Sequence, residues 1–494
     1  VLAIGLLAGC SSSDGDDTSP VSDSLAGNCA SDNPYAMAAP AAAGQARDRR
    51  GERAWVGAYL GEAYLWYDEI PALDPADPSY DQGPYFGSMQ NWFSALRTPA
   101  LTASGRRKDR YSFIYPSEEY DRLAEAGIVF GYGHEWKIGS NVPPRAIRVA
   151  YVDAGTPSEL AGIARGDTLE AVTIDGVTVS ADATDAAGIA LLDRALFPAR
   201  GSPPNGLRFR TAGGALREVT LAGADVPTRS VLVTDVRELG PARVGYLLVN
   251  DFVAPAEGQL VAALQQFRDA GVSELVLDLR YNGGGYVYIA SQLAYMIAGA
   301  ARGDGQLFER LRYNDKRMAT LSRRQTDFPF QPLATGQPGS GTAPGEALPV
   351  LELDRVVVLA SAATCSASES VINGLRGIDM PVVLIGATTC GKPYGFAARD
   401  NCGVSYFPIE FQGVNARGFG DYDDGFGADC AAGDDLGRSL GDPAEEMLAA
   451  ALQFIAHGTC ASAGIGAMKA GRSAEGKLLR HAVRESRYLQ PPRH

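Results

Sequence analysis

Apolar residues recur along this chain with two different periods, and the change of period divides it. Ala46 to Tyr67 places Trp55, Tyr59, Leu65 and Trp66 at helical spacing, which predicts a helical N-terminal region over 46–124 packed by that stripe. Further along, Val244–Phe252, Glu274–Leu279, Val356–Ala360 and Pro381–Ile385 are short runs rich in Val, Leu and Ile that read as buried strands. Gln259–Ala270 and Glu369–Leu375 read as helices beside them, so an α/β core with parallel strands is expected over 229–460. Arg302–Pro349, crowded with Gly, Pro and polar residues near its end, predicts a mobile flap or insertion.

The chemistry sits at two of these strand ends. Val356–Ala360 delivers the small-residue turn Ala362–Ser368 to the start of a helix, which exposes a Ser there. Beyond the next strand, Lys392 lies in a Gly-containing loop, and parallel pairing would bring the two together. A Ser hydroxyl needs a neighbouring base before it attacks anything, and the usual base is His. The chain has four His, of which His457, His481 and His494 lie in or near the C-terminal tail and His134 between glycines far upstream. Among six Lys, Lys392 stands alone between Lys316 and Lys469. A Lys acts as a base only when neutral, so its pKa must be lowered by apolar surroundings, for which Val383, Leu384, Ile385 and Phe396 are the candidates.

These residues resemble the C-terminal processing, or tail-specific, serine peptidases of family S41. Thr364-Cys365-Ser366-Ala367-Ser368-Glu369 is similar to the family's S-A-S-A-S-E, and Gly386-Ala387-Thr388-Thr389-Cys390-Gly391-Lys392 to its G-x-x-T-x-G-K. The resemblance implies Ser366 as nucleophile and Lys392 as base, with Glu369 as the candidate third member. Phe396 stands where some members carry a Gln that orients the Lys. Glu274–Gly285, ELVLDLRYNGGG, is similar to the family's D-L-R-x-N-G-G-G, a strand ending in a turn whose N–H groups face the developing oxyanion. That implies a hole made by Gly283 or Gly284 together with Ala367. A phosphate cradle fits less well, because neither G-x-G-x-x-G nor G-x-x-x-x-G-K-[ST] is present. An S-x-x-K acyltransferase fails because position 369 is Glu.

Gly155–Asp167 resembles the signature of PDZ domains, which implies a peptide-binding module over 125–228. Such modules add an extended peptide to a sheet edge and hold its terminal carboxylate on backbone N–H groups. By position the carboxylate loop is Gly131, Tyr132, Gly133 and His134, and the side-chain pocket Ile189, Leu192 and Leu196. The whole resemblance implies a crotonase/ClpP-like spiral catalytic core with an inserted PDZ domain. It also implies an endopeptidase that selects exported proteins by their C-termini or exposed apolar segments. The alternative is a decayed scaffold that binds C-termini without cutting them.

Charge and cysteines narrow the setting. A net charge of −14 argues against nucleic acid as partner, and no apolar run approaches the ~20 residues of a membrane span. Val1–Gly9 followed by Cys10 resembles a bacterial lipobox, implying lipidation at Cys10, with the basic segment of a signal peptide expected further upstream. The expected location is the periplasmic side of a bacterial envelope, lipid-anchored at the outer membrane, with 11–45 as a flexible tether. The six other cysteines allow 15 pairings; Cys365 and Cys390 adjoin the Ser and Lys loops and are a candidate disulfide. No C-x-x-C pair or His cluster supports a metal, and the chemistry calls for no cofactor. Asp421–Asp435, with six Asp, lacks Ca²⁺-loop spacing and reads as a solvated acidic loop, and 461–494 as a variable basic appendage. Oligomeric state has no sequence signal.

Overall fold

The computed structural model describes residues 20–36, 47–460 and 476–479. Cys10 and most of the N-terminal tether and C-terminal tail therefore lie outside the described residues.

The apolar runs form one six-stranded sheet, ordered Val231–Leu239, Ala242–Val249, Glu274–Asp278, Val356–Ala360, Val382–Gly386 and Cys430–Ala431. The first pair is an antiparallel hairpin and every later pairing is parallel. Parallel strands need crossovers, and helices cover both faces. Ala256–Asp269, Val287–Ala298 and Ala367–Gly377 lie on one side, around Leu247, Leu277, Val358 and Leu384; Glu446–His457 lies on the other, around Tyr246, Val276, Leu359 and Ile385. The two strands preceding the Ser and Lys loops are neighbours in register, Val356 opposite Val382 and Ala360 opposite Gly386.

The expected helical N-terminal region is present as Arg49–Ala63 and Tyr85–Leu96, but it does not close its own core. Trp55, Tyr59, Trp92 and Phe93 pack with Val404, Tyr406 and Ile409. Within the expected tether, the described residues 20–36 are anchored: Ser22 bonds Glu62, Ala30 and Asn33 bond Glu52, and Cys29 is bridged to Cys402. The expected flap at 302–349 is instead built into the molecule. Leu307–Tyr313 is the second strand of a four-stranded sheet, and Phe308, Phe330, Ala334 and Leu348 are buried in the main core. Its Gly and Pro residues shape turns between anchored apolar side chains, which composition alone does not distinguish from mobility.

The 128–227 module has its own core, Tyr132, Trp136, Val149, Leu169, Leu192, Leu207 and Phe209, between a seven-stranded sheet and the helix Ala186–Leu196. It is fixed to the six-stranded sheet by charge. Asp434, expected in a solvated loop, is buried and accepts from Lys137 (2.7 Å) and Arg165 (2.6 Å) of the module and from Arg280 (3.2 Å) of the Gly-rich strand end. Three cations hold its pKa well below the carboxylate range despite burial. Arg165 also bonds Tyr281 Oη at 2.5 Å, and Arg280 is shared with Glu445 and Asp278. Removing one member of such a cluster strands the others as buried charges, which costs about 3–5 kcal/mol. Asp434→Ala is therefore expected to lower the urea midpoint markedly, and Asp423→Ala on the same loop to leave it near wild type; equal midpoints would refute the anchoring role.

Candidate active site

The turn bearing Ser366 is stitched to the Gly-rich strand end residue by residue. Thr364 Oγ1 donates to Leu279 O (2.8 Å), Ser361 Oγ to Arg280 O (2.5 Å), and Cys365 N–H and Ser368 Oγ to Asn282 O (3.0 and 3.1 Å). This is why the strand runs into small and hydroxylated residues: larger side chains would separate the two segments. Gly284 shows how close they are, since a Cβ there would lie 2.8 Å from both Cys365 O and Ser366 Cβ. Its φ of +105° adds a second reason for glycine.

Ser366 is the residue before the helix Ala367–Gly377 and takes φ 58°, ψ −120°. A non-glycine residue in that region costs about 1–3 kcal/mol and persists only where its surroundings hold it. Here they do, through the Asn282 bonds on one side and Glu369 on the other.

Glu369 is fully buried and takes four donors: Ser366 N–H (3.1 Å) and Lys392 N–H (2.8 Å) on Oε2, Gly391 N–H (2.8 Å) and Thr389 Oγ1 (2.5 Å) on Oε1. Burial pushes its pKa up, and the donors oppose that. Every one of these partners gives a hydrogen, so the arrangement suits the carboxylate and not the acid. The single atom Oε2 thus joins the main chain of Ser366 to that of Lys392. The disulfide Cys365–Cys390, Cα–Cα 5.2 Å, joins the preceding residues of the same two loops.

The Lys392 side chain has no carboxylate partner among the described residues. Nζ lies 4.1 Å from the Phe396 ring centre and 5.5 Å from that of Tyr111. Burial lowers its pKa to about 8, against the opposing pull of Asp109 and Glu369. Val383, Leu384 and Ile385, expected to supply this surround, are instead packed in the sheet's two cores. Only Phe396 of the expected set touches the amine. Tyr111 is the residue that sequence reasoning missed; its hydroxyl donates to Gly391 O at 2.7 Å, so it also holds the Lys loop. An aromatic beside a conspicuous Asp-Arg pair was the available signal.

Of the expected oxyanion donors, Ala367 N–H stands at the first position of the helix, where no intrahelical acceptor exists. Gly284 N–H donates to Asn282 Oδ1 at 2.8 Å and is committed there, which leaves Gly283, partly exposed, as the free member of that pair.

In the 128–227 module, Gly131, Tyr132, Gly133 and His134 form one turn, and Ile189, Leu192 and Leu196 line the helix opposite. Two of the expected contacts are structural. Tyr132 is a core residue whose hydroxyl donates to Ala195 O, and His134 Nδ1 bonds Ser158 Oγ (2.5 Å), which itself donates to Tyr132 O. The Nδ1 therefore carries the hydrogen. Burial holds the ring neutral, pKa about 3, so His134 brings no charge to a carboxylate. Gly133 fits because a Cβ would lie 2.2 Å from Thr156 Cβ.

Among the described residues, a carboxylate meets two sulfurs at Glu369 with Cys365 and Cys390 and at Glu52 with Cys29 and Cys402, and both sulfur pairs are disulfides. Neither offers a thiolate to a cation.

The profile of Peptidase family S41 matches residues 243–397, and that of the Peptidase S41 N-terminal domain residues 51–113. The first spans the Gly-rich turn, Ser366 and Lys392 together. The chain carries a peptidase family S41 domain over residues 243–397. It is 28% identical over 298 residues to a carboxyl-terminal-processing protease of Picosynechococcus sp., covering 58% of this chain and 60% of that protein. A carboxyl-terminal-processing protease of Synechocystis sp. is 27% identical over 289 residues, 56% of each. The chain thus spans less than two thirds of the length of these relatives. A crystal structure from Bacteroides fragilis assigned to the S41 proteases superposes with a TM-score of 0.59 at 25% identity, covering 82% of this chain and 97% of that one.

Non-reducing peptide mapping is expected to recover Cys29–Cys402, Cys365–Cys390 and Cys430–Cys460. Free thiols at 365 and 390 would remove the second tie between the Ser and Lys loops.

Proposed function

We propose that this S41 chain is a serine endopeptidase of the C-terminal processing type, with Ser366 as nucleophile and Lys392 as general base. The observation that carries the reading is the Glu369 oxygen shared by the two main chains, beside an amine with no ion-pair partner and a pKa of about 8. Ser366 Oγ attacks the peptide carbonyl as neutral Nζ takes its proton. The N–H groups of Gly283 and Ala367 receive the oxyanion. The tetrahedral intermediate collapses by breaking the C–N bond, the ammonium returns the proton to the leaving amine, and an ester to Ser366 remains. Water, deprotonated by the same amine, then hydrolyses that ester and releases the new carboxyl end. None of these steps calls on a cofactor.

The 125–228 module reads as an inserted PDZ domain and the six-stranded core as crotonase-like. The module would capture a substrate's C-terminus or an extended apolar segment along His134–Ile138. The carboxylate would be held by backbone N–H groups near Gly133. Three disulfides favour an oxidising compartment such as the periplasm, and lipidation at Cys10 would place the enzyme at a membrane surface. No described helix is long and apolar enough to cross a membrane.

Ser366→Ala is expected to abolish cleavage of casein, and Lys392→Ala to do nearly the same, with melting temperatures preserved; turnover at the wild-type rate in either would exclude the dyad. Because the base must be neutral, kcat/KM should rise about tenfold per pH unit below about 8 and level off above it. Glu369 favours the charged amine, so Glu369→Gln should move that midpoint to lower pH while cutting the rate through loosened loops. A midpoint that stays in place or rises would contradict this assignment.

A further inference from the structure

One stretch of the chain already lies along the edge that the proposed peptide groove offers. Lys477–Leu479, from the tail expected to be an appendage, is the outer strand of the module's sheet. It pairs antiparallel with His134–Ile138, Lys477 facing Ile138, Leu478 facing Lys137 and Leu479 facing Trp136. Its direction carries Leu479 toward the Gly131–His134 turn. An added peptide strand presents its C-terminal end to a carboxylate-binding turn in the same sense.

The alternation of a strand sends the two leucines to opposite faces. Leu479, 5% exposed, joins Trp136, Ile189, Leu192 and Leu196 in the module core, the side chains expected to form the pocket for a substrate's last residue. Leu478, 7% exposed, packs with Ala150, Tyr151 and Tyr281, with Ala363 at the margin. Tyr281 lies two residues before Gly283 and Ala363 three before Ser366. Gly476 makes the approach possible, because a Cβ there would lie 2.3 Å from Ile138 O. Beside Leu479 there remains a cavity of ≈ 40 Å³, lined by Gly131–Trp136 and Leu196, room for a few waters at most.

We propose that Gly476–Leu479 is the resident ligand of this module: the chain's own C-terminal segment fills the groove in cis, and an outside peptide binds only by displacing it. The proposal rests on the peptide-groove reading of 125–228. It also names what the groove accepts, an extended segment with alternating apolar side chains. Leu479 is followed by Arg480, so this segment is held by strand pairing and its leucines without a terminal carboxylate.

A tethered ligand acts at an effective concentration on the order of mM. Against an intrinsic Kd in the tens of μM, it should weaken capture of an outside peptide by about 10- to 100-fold. The test uses the Ser366→Ala protein as the full chain, as a chain ending at Ala474, and as full chains carrying Leu479→Asp or Gly476→Val. Two labelled probes are titrated by fluorescence anisotropy: a synthetic peptide of residues 474–484, and an unrelated peptide ending in Val-Ala-Leu. The shortened chain should bind both, the full chain each at least tenfold more weakly, and the two point variants should recover toward the shortened chain. Equal affinities for the full and shortened chains overturn the proposal. If the shortened chain binds the unrelated peptide but not the 474–484 peptide, only the proposal falls; if it binds neither, the groove reading falls with it.

Discussion

One buried carboxylate sets the geometry on which this site depends. Glu369 is the third residue of its helix, where the unpaired N–H groups and the helix dipole favour an anion. Its cost is desolvation, and it is met by four donors drawn from two loops that are far apart in sequence. Since Ser366 and Lys392 meet the same oxygen through their main chains, their spacing does not depend on a bond between their side chains. The Ser366 hydroxyl oxygen instead accepts from Glu369 N–H as the cap of the helix, and the Lys392 amine has no carboxylate partner among the described residues. A positive φ at Ser366 and a glycine pressed against its Cβ are tolerable only because this clamp and the Asn282 bonds hold the turn from both sides.

The environment of Lys392 is a contest of three effects. Ring faces attract an ammonium by about 0.5–2 kcal/mol, and Asp109 and Glu369 also favour the charged form. Burial works the other way and wins, leaving the pKa at about 8, below the usual Lys range. A Gln at position 396 would direct the amine through one acceptor. A Phe there confines it by shape and removes water instead. The tie between Tyr111 and Gly391 O makes up for the missing direction by fixing the loop rather than the side chain.

Local pattern was a good guide where a residue's neighbours lie close in sequence or follow from strand order. The four apolar runs are the four central strands, and the parallel pairing of Val356–Ala360 with Val382–Gly386 followed from two buried strands around one helix. The placement of Ser366, Glu369, Lys392 and the Cys365–Cys390 bridge could be read because each stands within a few residues of those strand ends. Asp434 could not be read, because the three cations that make it a buried anchor come from positions 137, 165 and 280, and an Asp in an acidic loop looks the same with or without them. The 302–349 stretch failed for a related reason: Phe308 and Phe330 are buried by helices elsewhere in the chain. Lys477–Leu479 is too short for any period to show, and only its partner strand makes it a strand.

The Gly-rich strand end is where the module, the charge cluster and the Ser366 turn converge. Its residues take these tasks in order: Arg280 joins the cluster, Tyr281 meets Arg165 and Leu478, and Asn282 holds the Ser turn. The two kinds of contact at Tyr281 differ in how they can change. The ion pairs around Asp434 are buried, and moving the module away would part Lys137 and Arg165 from Asp434 and leave both cations without a carboxylate, so the module cannot rotate away from the core in small steps. The apolar contact of Leu478 has no such threshold. A strand that slides out of the sheet edge loses area gradually and can be replaced by another apolar side chain at each stage. Peptide exchange along His134–Ile138 would therefore alter the packing on Tyr281, two residues from Gly283, while the charge cluster keeps the module in place.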